Sequence, residues 1–309
     1  MKTRRVVLAF PGQGTETPGM GVALTQQFTG IKELFLQAST LLGDDLLRLL
    51  KRGGRRFEQT SVIQLALTAL GLGILRELRR EGVVYTHTIG HSLGELGALH
   101  AAGLFEEEGL LQLAHTRGRL MEEEALRHVG GMVVLRDMDP EQCQSLCTCA
   151  REYGVVGVAA QHGPSLWTLS GEEAAITFIL RHAHATKLRT SGAWHSVLMD
   201  GAVVPFAEAV RGRLCGGWKA SWIANHTGCI EDDVDAVPQF LSTQLVHRIE
   251  WLTSMKTLSA LAPTDIVCCG PGKTLKGLIR PFVRKDVVFH MTEHPSLLRQ
   301  TLRELSADE

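Results

Sequence analysis

Short apolar runs alternate with helix-forming segments through the first 130 residues, and this alternation limits the possible folds more than any other feature of the chain. Val6 to Phe10 is a continuous apolar run that ends at a Pro-Gly pair, as expected for a buried parallel strand. Helical spacing of apolar residues predicts helices from Ile31 to Leu42 and from Ser61 to Arg80. A second strand is predicted from Val83 to Ile89, and a helix just after Ser92. This order predicts an α/β protein with a parallel sheet.

A different order of elements follows from about residue 130 to about residue 190. The predicted order is β-α-β-β-α-β, that of a ferredoxin-like unit, complete within about 60 residues. We therefore predict a small domain at residues 129–195, inserted into a large domain made of residues 1–128 and 196–309. The predicted strands are Met132 to Leu135, Gly154 to Ala160, Leu166 to Leu169 and Thr186 to Leu188, the helices are Asp139 to about Tyr153 and Gly171 to Ala183, and a turn is predicted at His162-Gly163-Pro164.

Alternating elements return after residue 195. We predict a helix from Ser196 to Leu214, a short strand at Ile223 and a helix from Val237 to Val246. A further strand, Thr264 to Cys269, ends at Gly270-Pro271-Gly272, which leads into a helix. A chain of 309 residues is long enough to bury a large core without disulfides or a structural metal.

Charge and hydropathy argue against several classes of protein. Lys and Arg total 32 against 33 Asp and Glu, so the chain lacks the basic balance of a nucleic-acid-binding domain. The N-terminal run Val6 to Phe10 is too short for the core of a signal peptide. No stretch approaches the ~18 uninterrupted apolar residues of a membrane span. We therefore expect a cytoplasmic protein with no nucleic-acid or membrane partner.

The seven cysteines are predicted to be reduced. Cys143, Cys147 and Cys149 lie on one short stretch, and no second pair of ligands follows at zinc spacing. Cys268 and Cys269 belong to an apolar run that is typical of a buried strand. We expect neither a disulfide nor a metal site.

The segment Gly90-His91-Ser92-Leu93-Gly94 matches the nucleophile elbow G-x-S-x-G. A strand is predicted before it and a helix after it, which is the context that the motif requires. The glycines allow a sharp turn that exposes the Ser92 hydroxyl at the start of a helix, where a developing anion is favoured. Such a motif is common by chance in a Gly-rich chain, and its context is what favours Ser92 as a nucleophile.

A serine hydroxyl needs a base, and thirteen histidines are available. His195 is the best candidate because it lies where the inserted domain returns to the large one, and domain junctions form clefts. Surface or helical positions explain the other histidines better. Those set aside are His91, His115, His182, His184 and His247.

A glycine-rich loop, Phe10-Pro11-Gly12-Gln13-Gly14, follows the first strand. Its backbone N–H groups, together with that of Leu93, could stabilise an oxyanion. The alternative function, nucleotide binding, is disfavoured. Gly270-Pro271-Gly272-Lys273-Thr274 resembles the end of a phosphate-binding loop, but Val267 stands where the first glycine is required.

A set of motifs occurs in one order over nearly the whole chain. These motifs are Phe10-Pro11-Gly12-Gln13-Gly14, Thr60 with Gln64, Gly90-His91-Ser92-Leu93-Gly94-Glu95, Arg117-Gly118 with Met121, Gly131-Met132, Trp194-His195-Ser196 with Met199, Asn225 with Gly228, Gln244 with Trp251, and Gly270-Pro271-Gly272. With them the sequence resembles the malonyl-CoA:acyl carrier protein transacylase family, which includes the acyltransferase domains of polyketide synthases. The resemblance implies an α/β-hydrolase-like large domain with a ferredoxin-like insert.

The resemblance implies a role for each site residue. Ser92 would attack the thioester of an acyl-CoA, and His195 would act as general base and then general acid. The backbone N–H groups of Gln13 and Leu93 would form the oxyanion hole. Arg117 would bind the free carboxylate of a malonyl group through its planar fork. The backbone carbonyl of Gln244 would orient the histidine. The substrate would be a CoA thioester, the acceptor would be the phosphopantetheine thiol of an acyl carrier protein, and no cofactor would be bound.

Selectivity is also implied by the resemblance. Leu93 and an aromatic residue before the histidine, here Trp194, are similar to the malonyl-type pattern. Gln64 is a further candidate for a residue that determines substrate selectivity. A branched acyl group is disfavoured by the ~1 to 3 kcal/mol that a misplaced methyl group costs. Ala160 and His162 stand where the family often has asparagines, so His162 could bring a donor near the acyl group.

Three alternatives remain open from the sequence. The same Ser-His pair could serve an acyl hydrolase, or a transacylase acting on a non-malonyl acyl-carrier protein. A non-catalytic scaffold is the third.

We expect an acyl carrier protein to dock on basic residues near the cleft. The candidates are Arg181, Lys187, Arg189, Lys273 and Lys276.

Overall fold

The computed structural model describes residues 4–306, so residues 1–3 and 307–309 of the predicted large domain lie outside the described part. Its strands are β1 Val6–Phe10, β2 His87–Gly90, β3 Gly130–Arg136, β4 Val156–Gly163, β5 Leu166–Glu172, β6 Ala185–Lys187, β7 Ser221–Ile223, β8 Ile230–Glu231, β9 Asp265–Cys268 and β10 Val288–Met291. Its helices are α1 Val22–Thr25, α2 Thr29–Leu42, α3 Leu46–Arg52, α4 Thr60–Arg80, α5 Gly94–Ala102, α6 Glu107–Arg127, α7 Pro140–Ala150, α8 Glu173–His182, α9 Val203–Arg211, α10 Val237–Thr243, α11 Trp251–Ala260, α12 Lys273–Ile279 and α13 Pro295–Leu305, with 3-10 turns at Val197–Ala202 and Arg280–Phe282.

The larger sheet has the strand order β10-β9-β1-β2-β7-β8. Its strands pair in parallel, except β8, which runs antiparallel to β7. The strands β1, β2, β7 and β9 therefore end at the same edge of the sheet. The loops that follow them carry Gln13, Ser92, Asn225 and Gly270. In open α/β sheets this edge is where ligands bind.

Helix α4 packs at the centre of the large domain, and nearly all of its residues are buried. By length and composition alone it could cross a membrane, yet 94% of its most apolar window is covered by the rest of the protein. It packs closely on α2 and α6. An apolar face on every side is expected for a helix enclosed by its neighbours in a core.

The smaller sheet has the strand order β4-β5-β3-β6, and its strand pairs are antiparallel. The elements β3, α7, β4, β5, α8 and β6 follow the predicted β-α-β-β-α-β order, so the ferredoxin-like unit is confirmed. Asp139 begins α7 with a capping box to Gln142, which satisfies two backbone N–H groups at the helix start. The sheet spans residues 130–187, and the exact domain bounds stay a prediction.

Several predicted elements have ends shifted by up to three residues, and three predictions differ more from the structure. The second strand begins at His87 rather than Val83, because the Val83 N–H closes α4 by donating to Leu78 O. The predicted helix from Ser196 is a 3-10 turn followed by α9, since Pro205 has no N–H to continue an α-helix from residue 201.

The third difference concerns His162, which does not lie in a turn. Strand β4 continues to Gly163 through irregular pairing with β5, so that His162 is part of the strand. Several elements had no sequence prediction. These are α1, α3, α6, α11, α13, β8 and β10.

Gly118 sets the distance between α4 and α6, and substituting it should destabilise the fold. A Cβ at Gly118 would lie 2.5 Å from Ser61 Cα, so Gly118→Ala forces the two helices apart. We expect its free energy of unfolding to fall by about 1–3 kcal/mol, measured by urea denaturation. Gly109→Ala on the same helix is the control, because its Cβ would meet Arg213 at an ordinary 3.6 Å. Equal stabilities of the two variants would contradict the prediction.

Candidate active site

Ser92 lies on a sharp turn between β2 and α5, with a positive φ of 52°. The turn leaves no space for side chains at the flanking glycines. A Cβ at Gly90 would overlap the Gly94 backbone, and a Cβ at Gly94 would overlap the carbonyl of Phe10. This close approach is the physical reason for the G-x-S-x-G spacing, and it presents the Ser92 side chain at the edge of the sheet.

His195 connects Ser92 to a backbone carbonyl. Its Nε2 lies 2.8 Å from Ser92 Oγ, and its Nδ1 lies 2.7 Å from Gln244 O. Because a carbonyl only accepts, Nδ1 carries the proton and Nε2 is left to accept from the serine hydroxyl. Burial, and secondarily the charge of Arg117, lower the pKa of His195 to about 4. The imidazole is therefore neutral near pH 7 and can act as a base.

Arg117 brings a buried positive charge beside Ser92. The residue is 2% exposed, and burial lowers its pKa to about 10, so it stays cationic at neutral pH. Its guanidinium donates to Gln64 Oε1 at 3.0 Å, Gln244 Oε1 at 2.8 Å and Ser92 Oγ at 3.3 Å. Among residues 4–306 no carboxylate lies within ion-pair distance of it. Such a charge is costly to bury, so the site favours an anionic ligand.

Two glutamine side chains hold the guanidinium. Gln244 is the C-cap residue directly after α10, and its Nε2 donates to Ser92 O at 3.1 Å. Gln64 on α4 donates to Met121 Sδ at 3.2 Å and more weakly to Gln13 Oε1 at 3.5 Å. Neutral amides thus fix the position of Arg117 without cancelling its charge.

The backbone N–H groups of Gln13 and Leu93 take part in no hydrogen bond within the described residues. The Gly12 backbone packs so closely on the carbonyl of His91 that a Cβ there would overlap it. The glycine-rich loop is therefore held directly against the nucleophile turn. Two free donors at this point suit the stabilisation of an oxyanion.

The other predicted selectivity residues lie around this centre. The His162 ring stacks on His91 at 5.3 Å between centroids, and its Nε2 lies 3.0 Å from Thr168 Oγ1. Burial lowers the pKa of His162 to about 4, so it is neutral. The Trp194 ring is buried against Gly192, where a Cβ would be 2.5 Å from Trp194 Cζ3. A glycine at that position makes room for the larger ring.

Two residues of the site had no assigned role in the sequence. Asn225 follows β7, and its side chain accepts from Ser92 N–H at 2.8 Å and donates to Gly90 O at 2.6 Å. Glu95 in α5 is buried and accepts hydrogen bonds from Asn225 and Gln244. Both belong to the quoted motifs, but their partners are more than 120 residues away in the chain, so spacing could not connect them.

Metal binding finds no support in the arrangement of side chains. Within residues 4–306 no three His, Cys, Asp or Glu residues are grouped to hold an ion. The seven cysteines are free thiols, and Cys268 and Cys269 are buried at the end of β9. That the protein works without a bound cofactor stays a prediction.

The sequence profile described as acyl transferase domain matches residues 7–212. The chain is 28% identical to a malonyl CoA-acyl carrier protein transacylase of Bacillus subtilis (strain 168), over 97% of the chain and 98% of that protein. It is 32% identical to the polyketide biosynthesis malonyl CoA-acyl carrier protein transacylase PksC of the same organism, over 91% and 98%. A solved malonyl-transacylase in complex with a type II PKS acyl-carrier protein aligns with a TM-score of 0.89 at 26% identity, over 97% of this chain and 99% of that chain.

The reactivity of Ser92 should follow the protonation of His195. With the pKa of His195 lowered to about 4, the base is free above that value and is lost as the pH falls through it. We expect the rate of Ser92 labelling by a fluorophosphonate probe to be constant from pH 7 to about 5 and to be halved near pH 4. His195→Ala should label slowly and without this midpoint, and circular dichroism should confirm folding at each pH. A midpoint near 6.5 would show that burial does not perturb the imidazole.

Proposed function

The chain belongs to the acyl transferase domain family, as its motifs predicted, and from that premise we propose that it moves a malonyl group from CoA to the phosphopantetheine thiol of an acyl carrier protein. The observation that carries the proposal is the buried guanidinium of Arg117, which has no carboxylate partner among residues 4–306 and lies 3.3 Å from Ser92 Oγ. A planar fork suits a carboxylate, and malonyl is an acyl group that ends in one. The names of the relatives support the same substrate and the same acceptor.

In the first half-reaction Ser92 Oγ attacks the thioester carbonyl while His195 Nε2 takes the hydroxyl proton. The N–H groups of Gln13 and Leu93 donate to the oxyanion. The carbon–sulfur bond then breaks, and the imidazolium returns its proton to the CoA thiolate. The products are a malonyl ester on Ser92 and free CoA.

The second half-reaction runs the same steps with a different thiol. His195 removes the proton of the carrier's phosphopantetheine thiol, and the sulfur attacks the ester carbon. The bond from that carbon to Ser92 Oγ breaks, and the imidazolium protonates the serine. One base therefore serves both halves, and because CoA leaves before the carrier thiol reacts, we expect ping-pong kinetics.

The carrier would approach through exposed basic side chains. Among the candidates Lys187 is engaged by Glu173, and Lys276 lies over the Phe289 ring at 5.5 Å. Arg181, Arg189 and Lys273 are exposed. We keep these residues as the proposed docking surface, with an acidic face on the carrier as the complement.

We propose that the size of the acyl group that the site accepts depends on residues that flank Ser92 and His195. Leu93 and Trp194 are both buried, and Trp194 fills the space beside Gly192. We expect a methyl branch on the acyl group to lower the specificity constant by the equivalent of ~1 to 3 kcal/mol. His162, stacked on His91, is a further candidate for contact with the substrate.

The acyl-enzyme can be detected directly. Incubation with malonyl-CoA should add one malonyl group, located by peptide mass spectrometry on Ser92, and Ser92→Ala should add none. A carrier protein added afterwards should remove the adduct into malonyl-carrier. If water removes it faster than the carrier thiol does, the protein is a hydrolase. An equal adduct in Ser92→Ala would rule out the proposed nucleophile.

Arg117→Ala should slow transfer from substrates with a carboxylate far more than transfer from substrates without one. Losing one partner of a buried ion pair costs about 3–5 kcal/mol, so kcat/KM for malonyl-CoA should fall by about 10²- to 10⁴-fold. Transfer from acetyl-CoA should change by less than about tenfold, since acetyl makes no such contact. Arg117→Lys, which keeps a point charge without the fork, should lie between. Equal losses for both substrates would refute carboxylate binding by Arg117.

A further inference from the structure

Glu95 is a buried carboxyl group directly behind the nucleophile. It lies in the first turn of α5, three residues after Ser92, and is 1% exposed. Oε1 accepts from the backbone N–H of Asn225 at 2.6 Å, and Oε2 accepts from Gln244 Nε2. Both partners contact the reacting groups, whereas Glu95 itself does not.

Through Asn225 the carboxyl group supports the turn that carries Ser92. The Asn225 side chain accepts from Ser92 N–H and donates to Gly90 O. Its backbone N–H points to Glu95, so the loop after β7 is fixed against the start of α5. A strained residue at positive φ needs neighbours of this kind to hold it.

The Glu95 carboxyl group also fixes the orientation of the Gln244 side-chain amide. Gln244 Nε2 donates to Glu95 and to Ser92 O, while its Oε1 accepts from Arg117 Nη2 at 2.8 Å. Turning the amide over would place its NH₂ group against the guanidinium and its oxygen against Glu95. An acceptor at Glu95 therefore keeps an acceptor facing Arg117.

The Gln244 amide also separates Glu95 from Arg117. Burial raises the pKa of Glu95 to about 8, while hydrogen bonds from Asn225 and Gln244, and then the nearby charge of Arg117, act in the opposite direction. Near neutral pH the Glu95 carboxyl group is therefore not a full counter-charge to Arg117, and its oxygens act as hydrogen-bond acceptors for Asn225 and Gln244. With Gln244 between them, the guanidinium has no direct carboxylate partner among residues 4–306.

We propose that Glu95 is a positioning residue for carboxylate recognition: it fixes the Gln244 amide so that Arg117 is oriented toward the nucleophile yet remains free to bind a substrate carboxylate. The inference rests on the proposed function, because it explains how the malonyl group is selected. It predicts that Glu95 affects malonyl transfer more than acetyl transfer, although it touches neither substrate.

The test is Glu95→Gln, which preserves shape but sets an NH₂ group against one of two N–H donors. Steady-state transfer from malonyl-CoA and acetyl-CoA is compared per active site, with sites counted by fluorophosphonate labelling. We expect the malonyl-to-acetyl ratio of kcat/KM to fall by about 10- to 100-fold, by analogy with residues that hold metal ligands in place. Glu77→Gln, another buried glutamate but in α4, should leave the ratio unchanged.

A purely structural role would reduce active sites without moving the ratio. A ratio within about twofold of wild type in Glu95→Gln therefore overturns the inference, while a collapsed ratio in Arg117→Ala leaves the proposed function standing. If Glu95→Gln does not fold, Glu95→Asp is measured, since its shorter side chain cannot reach both donors. We expect a reduced ratio there, and a wild-type ratio overturns the inference. An unchanged ratio in Arg117→Ala would instead reject the proposed function.

Discussion

A guanidinium buried beside a serine hydroxyl, with no carboxylate paired to it in residues 4–306, is the constraint around which the site is arranged. Removing Arg117 from water is costly, and the protein offsets that cost only in part, with the amides of Gln64 and Gln244. Amides orient a cation without neutralising it. The charge of Arg117 can therefore still attract an anionic group on a ligand, and this attraction acts where water is largely excluded.

Gln244 joins this charge to the catalytic pair. As the residue that ends α10, it has a carbonyl with no partner in the helix, and this oxygen accepts from His195. Its side chain meanwhile contacts Arg117, Glu95 and the Ser92 backbone. The proposed nucleophile, base and carboxylate site thus share one anchor, so that a shift of α10 would disturb all three.

The fold brings these parts together at the carboxyl edge of the parallel sheet. Ser92 follows β2 and Asn225 follows β7, whereas His195 arrives after the inserted four-stranded sheet. The inserted sheet is also tied by backbone to the segment before α11, since Ile249 N–H donates to Ala159 O at 2.8 Å. His195 and Ser92 therefore come from opposite sides of the insertion, and their 2.8 Å contact depends on how the sheets pack.

Local pattern determined much of this protein. The alternation of apolar runs and helices predicts the α/β fold and the β-α-β-β-α-β insert, and the glycines around Ser92 predict its turn, because each signal extends over only a few residues. Tertiary packing decided the rest. It placed His162 on β4 and gave Glu95 its partners in Asn225 and Gln244. Contacts across 130 or more residues are set by the packing of sheets and helices, which no local spacing encodes.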